Sequence, residues 1–129
     1  MGMDFETEFR SDVELEQAMD EIIENLREDI ENDEAQPTVL NCLKFQQMKF
    51  AYAALRYITR GKEVTLSYKL NEPFKTMGSI SVEGKLLEFD NPEWFARVAE
   101  FATNTEVYPL AKNKVRMTFT FHGLTTQVQ

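Results

Sequence analysis

The sequence predicts an α+β domain of two layers, in which an antiparallel sheet of about five strands carries helices on one face. Between residues 11 and 60, apolar residues recur at spacings of three and four, as they do in amphipathic helices. From residue 63 onward the period changes to two, which is typical of half-buried strands. Because short turn sequences join most of these strands, antiparallel pairing is favoured. The predicted element order is α-α-β-β-β-α-β-β.

The first helix is predicted over residues 11–33. Ser11 and Glu14 have the spacing of a capping box, in which the Ser11 hydroxyl accepts from the N–H of Glu14 and the Glu14 carboxylate from the N–H of Ser11. The approach to Pro37 ends the helix. Its apolar stripe consists of Leu15, Met19, Ile22, Ile23, Leu26 and Ile30.

The second helix is predicted over residues 38–60, with Thr38 as its N-cap and Gly61 as its C-terminal stop. It has two apolar faces. One holds Leu40, Leu43, Phe50, Ala51, Ala54, Tyr57 and Ile58, and the other holds Phe45, Met48, Tyr52 and Leu55. A helix apolar over so wide an arc is covered on two sides. We therefore expect it to lie between the sheet and either the first helix or a second subunit.

Alternation of apolar and polar residues predicts the strands. The first runs to Leu70, and Glu83-Gly84 is predicted to form a tight hairpin turn between strands 79–82 and 85–89. This register gives a single core-facing set: Ile80, Val82, Leu87 and Phe89. The last strands, about 106–110 and 115–122, form a second hairpin. Pro109 places strand 106–110 at the sheet edge, because proline lacks the N–H group that a central strand needs for its hydrogen bonds. The strong apolar-polar alternation of strand 115–122 indicates a central strand.

The third helix is predicted from Asn91, as N-cap before Pro92, to about Thr103. Its buried stripe would be Trp94, Phe95, Val98, Phe101 and Ala102. The whole chain of 129 residues then reads as a single domain: a flexible lead (1–10), two helices (11–60), a sheet with one helix (63–122) and a polar tail (123–129).

The net charge of -8 is unevenly distributed. Residues 1–36 hold 14 acidic residues and two arginines, a balance of -12, whereas residues 37–129 hold eight acidic and 12 basic residues, a balance of +4. The outer face of the first helix is accordingly predicted to bind a basic protein partner through Glu21, Glu24, Glu28 and Glu31. The simpler interpretation is a solvated face that keeps the protein soluble. Direct binding to nucleic acid is not expected from so acidic a chain.

Residue types that support catalysis or metal binding are scarce. Cys42 and His122 are the single Cys and the single His, and they fall on a helix and on the polar side of a strand. Two such residues cannot complete a zinc site, and no phosphate-binding or dinucleotide-binding motif is present. We therefore expect neither an enzyme nor a cofactor. With no secretion signal, no apolar membrane span and a lone Cys, the expected location is the cytoplasm.

The leading hypothesis is a non-catalytic interaction module, acting as an adaptor, chaperone or inhibitor, that binds a protein through the acidic helix and a sheet edge or apolar groove. Surplus apolar surface on the second helix further predicts a homodimer. The order βββ-α-ββ over residues 63–122 resembles the layout of small dimeric secretion chaperones, which wrap unfolded stretches of client proteins. Here an extra long helix comes first, and the C-terminal helix of that layout is missing.

The alternative hypothesis is a small-ligand-binding protein or an undetected enzyme. Its pocket would lie between the second helix and the sheet. The aromatic lining would come from Phe45, Tyr52, Tyr68, Trp94 and Phe119.

Overall fold

The computed structural model describes residues 8–32, 43–71 and 76–124, without the side chains of residues 25–32 and 43. Within these ranges the chain forms three α-helices and four strands. They are α1 (Asp12–Asn32), α2 (Leu43–Ile58), β1 (Val64–Leu70), β2 (Met77–Lys85), α3 (Pro92–Ala99), β3 (Asn104–Pro109) and β4 (Lys114–His122). The α+β class is as predicted, with four described strands in place of about five.

The four strands make one antiparallel sheet in the order β1-β2-β4-β3. Hairpins join β1 to β2 and β3 to β4, and α3 connects β2 to β3. Two sequence predictions are confirmed by this order: β4 is a central strand, and Pro109 lies in the edge strand β3. Because β4 is inserted between them, β2 and β3 run in the same direction without pairing.

The predicted hairpin turn at Glu83-Gly84 is wrong, because β2 continues through both residues and pairs with a strand on each side. Gly84 pairs with Val64 of β1, and a Cβ atom at Gly84 would lie only 2.7 Å from the Val64 Cγ1 atom. The glycine therefore serves a close approach between strands and not a turn. After Lys85 the chain makes a single 3-10 turn, which leaves Leu87 87% exposed in place of its predicted core position.

The helix boundaries agree with the capping signals in three places. The Ser11 Oγ accepts a hydrogen bond from the Glu14 N–H at 3.2 Å, whereas the Glu14 carboxylate accepts from the Arg10 N–H at 3.1 Å and not from that of Ser11. Gly61 has a φ of 71°, which suits the residue that follows α2. Asn91 caps α3 through its backbone carbonyl, and α3 ends at Ala99, earlier than predicted. The predicted cap Thr38 lies outside the described residues.

The core lies between α2 and the sheet and continues under α1 and α3. The described residues of both apolar faces of α2 are covered within the chain, since α2 contacts β1 and β4 as well as α1 and α3. Phe9, from the predicted flexible lead, packs against Phe50 and Tyr57, and Leu124, from the predicted tail, is fully buried. The described order of elements has only two strands before α3. The βββ-α-ββ layout behind the chaperone resemblance is therefore not present.

Candidate functional site

The acidic face of α1, defined by Glu21, Glu24, Glu28 and Glu31, lies on a helix whose opposite side is buried. Leu15 and Met19 are fully buried, while the side chains of Glu21 and Glu24 are exposed. Glu28 and Glu31 belong to α1, but their side chains lie outside the described part of the chain. The amphipathic pattern thus presents carboxylates outward along at least the first part of this face.

A different pair of α1 carboxylates anchors the helix to α3. The Arg97 guanidinium forms ion pairs with Glu16, at 3.7 Å, and with Asp20, at 2.5 Å. The same guanidinium lies 5.5 Å from the centre of the Trp94 ring. Arg97 is the basic residue in the last turn of α3, where a cation also suits the helix dipole. These contacts fix α1 beside α3.

The five aromatic residues proposed to line a ligand pocket occupy three different surroundings. Phe45 and Phe119 are buried in the core, so packed side chains occupy the space between α2 and the sheet. Tyr52 and Tyr68 meet edge to face, with ring centres 5.2 Å apart. Trp94 belongs to α3 and packs against Arg97. The five side chains are thus distributed over the core, the Tyr52–Tyr68 contact and the surface of α3.

An apolar groove of about 280 Å³, which we call the β3 groove, lies between α3 and the edge of the sheet. It is lined by Phe89, Pro92, Phe95, Ala96, Ala99, Thr105 and Met117. Neighbouring Val107 faces the same side of the sheet as the buried core residues, because it is paired with Met117 of β4. It is nevertheless 57% exposed, whereas Val82 in the same row across the sheet is fully buried. The described part of the helical layer therefore leaves Val107 largely uncovered.

The residue that follows β3 shows which backbone groups of the strand point toward β4 and which point away from it. The Leu110 N–H donates to the Lys114 carbonyl, so Leu110 faces β4. Because antiparallel residues alternate in direction, Thr105, Val107 and Pro109 face away from β4. In the described ranges no strand pairs with this outer edge. Thr105 and Val107 thus offer N–H and C=O groups outward, and Pro109 offers a C=O group alone.

The rim of the β3 groove is acidic where α3 meets solvent. Glu93 and Glu100 are both exposed, and they lie three residues before and four residues after groove-lining Ala96. This spacing places all three on one side of the helix. Arg97, four residues after Glu93 and three before Glu100, lies next to both glutamates and reaches from there to Glu16 and Asp20 of α1. The β3 groove and these two α1 carboxylates therefore lie on opposite flanks of α3.

The side of the sheet away from the helices, the open face, is polar and carries a shallow groove of about 610 Å³. Arg116 and Glu83 form a cross-strand ion pair at 3.0 Å, and the Ser81 and Thr118 hydroxyls are 3.3 Å apart. At β3, the Tyr108 hydroxyl donates to the Glu106 carboxylate, and this hydrogen bond raises the pKa of Tyr108 above its usual value. The polar groups at the centre of the open face satisfy one another.

The single His and the single Cys lie apart from the surfaces described above or outside the described residues. His122 is exposed at the end of β4, and Cys42 lies outside the described residues. Over the described ranges, no three His, Cys, Asp or Glu side chains are grouped as metal ligands. In the same ranges no helix has the length and apolar character to cross a membrane.

Sequence reasoning found the acidic helix but not the residues of the β3 groove. Pro109 and the alternating Val107 were the available signals, since together they indicate an edge strand with a core-facing apolar residue. How far the helical layer reaches over that strand depends on tertiary packing, which periodicity does not report. No protein-family model matches the sequence, and neither a curated protein nor a solved structure is significantly similar to it.

Proposed function

We propose that the chain is a non-catalytic protein-interaction module, an adaptor, chaperone or inhibitor, that binds a protein partner through the β3 groove and the acidic face of α1. The single observation that carries the proposal is the exposure of Val107 on the core-facing side of the sheet. A valine at such a position is ordinarily covered. Beside it, Phe95 and Met117 line an apolar groove of the kind that binding partners cover.

The acidic face of α1 extends this surface. Arg97 holds Glu16 and Asp20 against one side of α3, while Phe95 and Ala96 line the groove on the other side. One partner can therefore span α3 and reach both surfaces. Outward carboxylates such as Glu21 accelerate the approach of a basic partner and select against acidic ones.

Site-specific photo-crosslinking in the native host tests the proposal. A benzoylphenylalanine residue replaces Val107 in one variant, and Ser67, exposed on the open face, in a matched control. We expect one defined covalent adduct from position 107 and none from position 67. Equal labelling from both positions, or no adduct from position 107, would contradict the proposal.

The contribution of α1 is measured with the same crosslink. Changing Glu21, Glu24, Glu28 and Glu31 together to Gln should reduce the adduct yield severalfold, because the carboxylates that attract the partner are gone. The control changes the same four residues to Asp, which keeps the charge. An undiminished yield in the Gln variant would remove α1 from the interface and leave the β3 groove alone.

A further inference from the structure

We propose that the partner occupies the β3 groove as an extended segment, adding a fifth strand to the edge of β3, with apolar side chains at alternate positions and basic residues at its flanks. This inference rests on the proposed function and specifies the chemistry of the partner. It combines three properties of one place in the fold: a strand edge with which no described strand pairs, an apolar groove on one side of that edge, and an acidic rim.

The free edge supplies the backbone contacts. Thr105 and Val107 point their N–H and C=O groups away from β4, and both are available to an added strand. A peptide that adds to a sheet edge as a further strand forms hydrogen bonds with such backbone groups. Pro109 ends the ladder, because it has a carbonyl group but no N–H.

The groove sets the alternation of side chains in the added strand. Side chains that share the face of Thr105 and Val107 would enter the β3 groove beside Phe95 and Met117. The alternate side chains would lie over the open face, beside Glu106, whose carboxylate already accepts hydrogen bonds from its own strand. A segment in which apolar and polar side chains alternate therefore fits this edge better than a continuous run of apolar residues.

The rim sets the charge of the partner. Glu93 and Glu100 are exposed on the solvent side of α3, next to groove-lining Ala96. Glu100 lies seven positions after Glu93, which corresponds to about 10 Å along the helix axis. An extended segment of roughly three residues covers the same distance. Lysine or arginine side chains on a segment in the groove would face these carboxylates, whereas an acidic segment would be repelled.

Titration with synthetic peptides tests the inference on the full chain. The probe is acetyl-Lys-Val-Thr-Val-Thr-Val-Lys-amide, and its binding is followed by fluorescence anisotropy and by the amide NMR signals of Thr105 and Val107. We expect saturable binding that shifts both signals. A peptide with Glu in place of both Lys residues should bind about tenfold more weakly.

Backbone methylation separates strand addition from simple apolar contact. In an antiparallel added strand the valine N–H groups would face β3, so N-methyl groups on the valines should abolish binding, because they remove the ladder hydrogen bonds. N-methyl groups on the threonines, which would face outward, serve as the matched control and should leave binding within about twofold. Equal binding by the two methylated peptides would overturn the strand-addition geometry.

Variants of the chain locate the contact. Val107→Arg should lose measurable peptide binding, whereas Val13→Arg, at a valine that is 63% exposed on α1, should retain it. Changing Glu93 and Glu100 to Gln should weaken binding of the lysine-flanked peptide severalfold, and Glu63→Gln should not. Loss of binding in the Val13 variant, or retention in the Val107 variant, would place the peptide elsewhere.

The outcomes distinguish this inference from the proposed function. An adduct from position 107 in cells, together with peptides that do not bind, would retain the interaction module and reject the extended segment. Self-association that Val107→Arg abolishes would mean that a second copy occupies β3, and this result also rejects the inference. Peptide binding that requires Val107, free valine N–H groups and basic flanks would support it.

Discussion

At the scale of single residues, Gln47 departs from ordinary packing. It lies on α2 and is fully buried, and within the described part of the chain neither its Nε2 nor its Oε1 atom has a hydrogen-bond partner. A buried polar group without a partner destabilises the folded state by about 1–3 kcal/mol, because it has lost its water without replacement. Sequence reasoning could not reveal this burial, since glutamine is usually found on the surface of a helix.

Gln47→Met should therefore stabilise the protein. Methionine has a similar length and no amide group to desolvate, so the free energy of unfolding is expected to rise by about 1–3 kcal/mol. Urea denaturation at equilibrium measures the change. The control is Gln46→Met at the exposed neighbouring position, where a change within about 0.5 kcal/mol is expected. A loss of stability in the Gln47 variant would indicate that the amide is satisfied in solution.

At the scale of elements, an ion pair links the segment after α2 to the segment before α3. The Lys62 ammonium donates a hydrogen bond to the Asp90 carboxylate, and this contact lowers the pKa of Asp90 below its usual value. Because the pKa of this carboxyl group is lower in the folded than in the unfolded state, the contact stabilises the fold at pH values above the unfolded-state pKa. The stabilisation is lost as the pH falls through the folded pKa.

An NMR titration of the Asp90 carboxyl group checks this link. Its midpoint should lie below 3.8 in the unaltered chain and should rise when Lys62→Gln removes the donor. The control variant is Lys44→Gln, on a lysine of α2 outside this contact, and it should leave the midpoint unchanged. If the titration midpoint of Asp90 is the same with and without the Lys62 substitution, the two groups do not interact in solution.

The boundary or sheet position of an element was predictable where the chemistry of a single residue determines it. The Ser11 cap, Gly61 and Pro109 each gave a correct boundary or sheet position, because capping, left-handed φ and the missing proline N–H are properties of one residue. Gly84 misled the prediction for the opposite reason. The same lack of a Cβ atom suits a tight turn or a close contact between strands, and only the Val64 side chain across the ladder decides between them.

At the scale of the whole molecule, charge and apolar surface are arranged differently from the sequence expectation. The acidic N-terminal segment was predictable by counting, and α1 carries nine of its 14 acidic residues. In the described part of α2, the surplus apolar surface that suggested a second subunit is covered by α1, α3 and the Phe9 segment. Val107 and the β3 groove are uncovered apolar surface at a position that only the assembled layers reveal.

Homodimerisation, which the two apolar faces of the second helix suggested from the sequence, remains a prediction. Sedimentation equilibrium at micromolar concentration should give about twice the chain mass of 15.0 kDa. Because β3 is assigned to the partner segment, Val107→Arg should leave that mass unchanged. A monomer at this concentration would contradict the prediction.

Pro109 also sets a timescale for the interaction proposed here. With an N–H donor at Thr105 and Val107 but none at Pro109, an added strand gains few ladder bonds, so its affinity depends on a small groove and a charged rim. A complex with a micromolar Kd and an ordinary association rate constant persists for roughly one second before it dissociates. If the proposed segment binds at this edge with such a Kd, the contact would be repeatedly made and released.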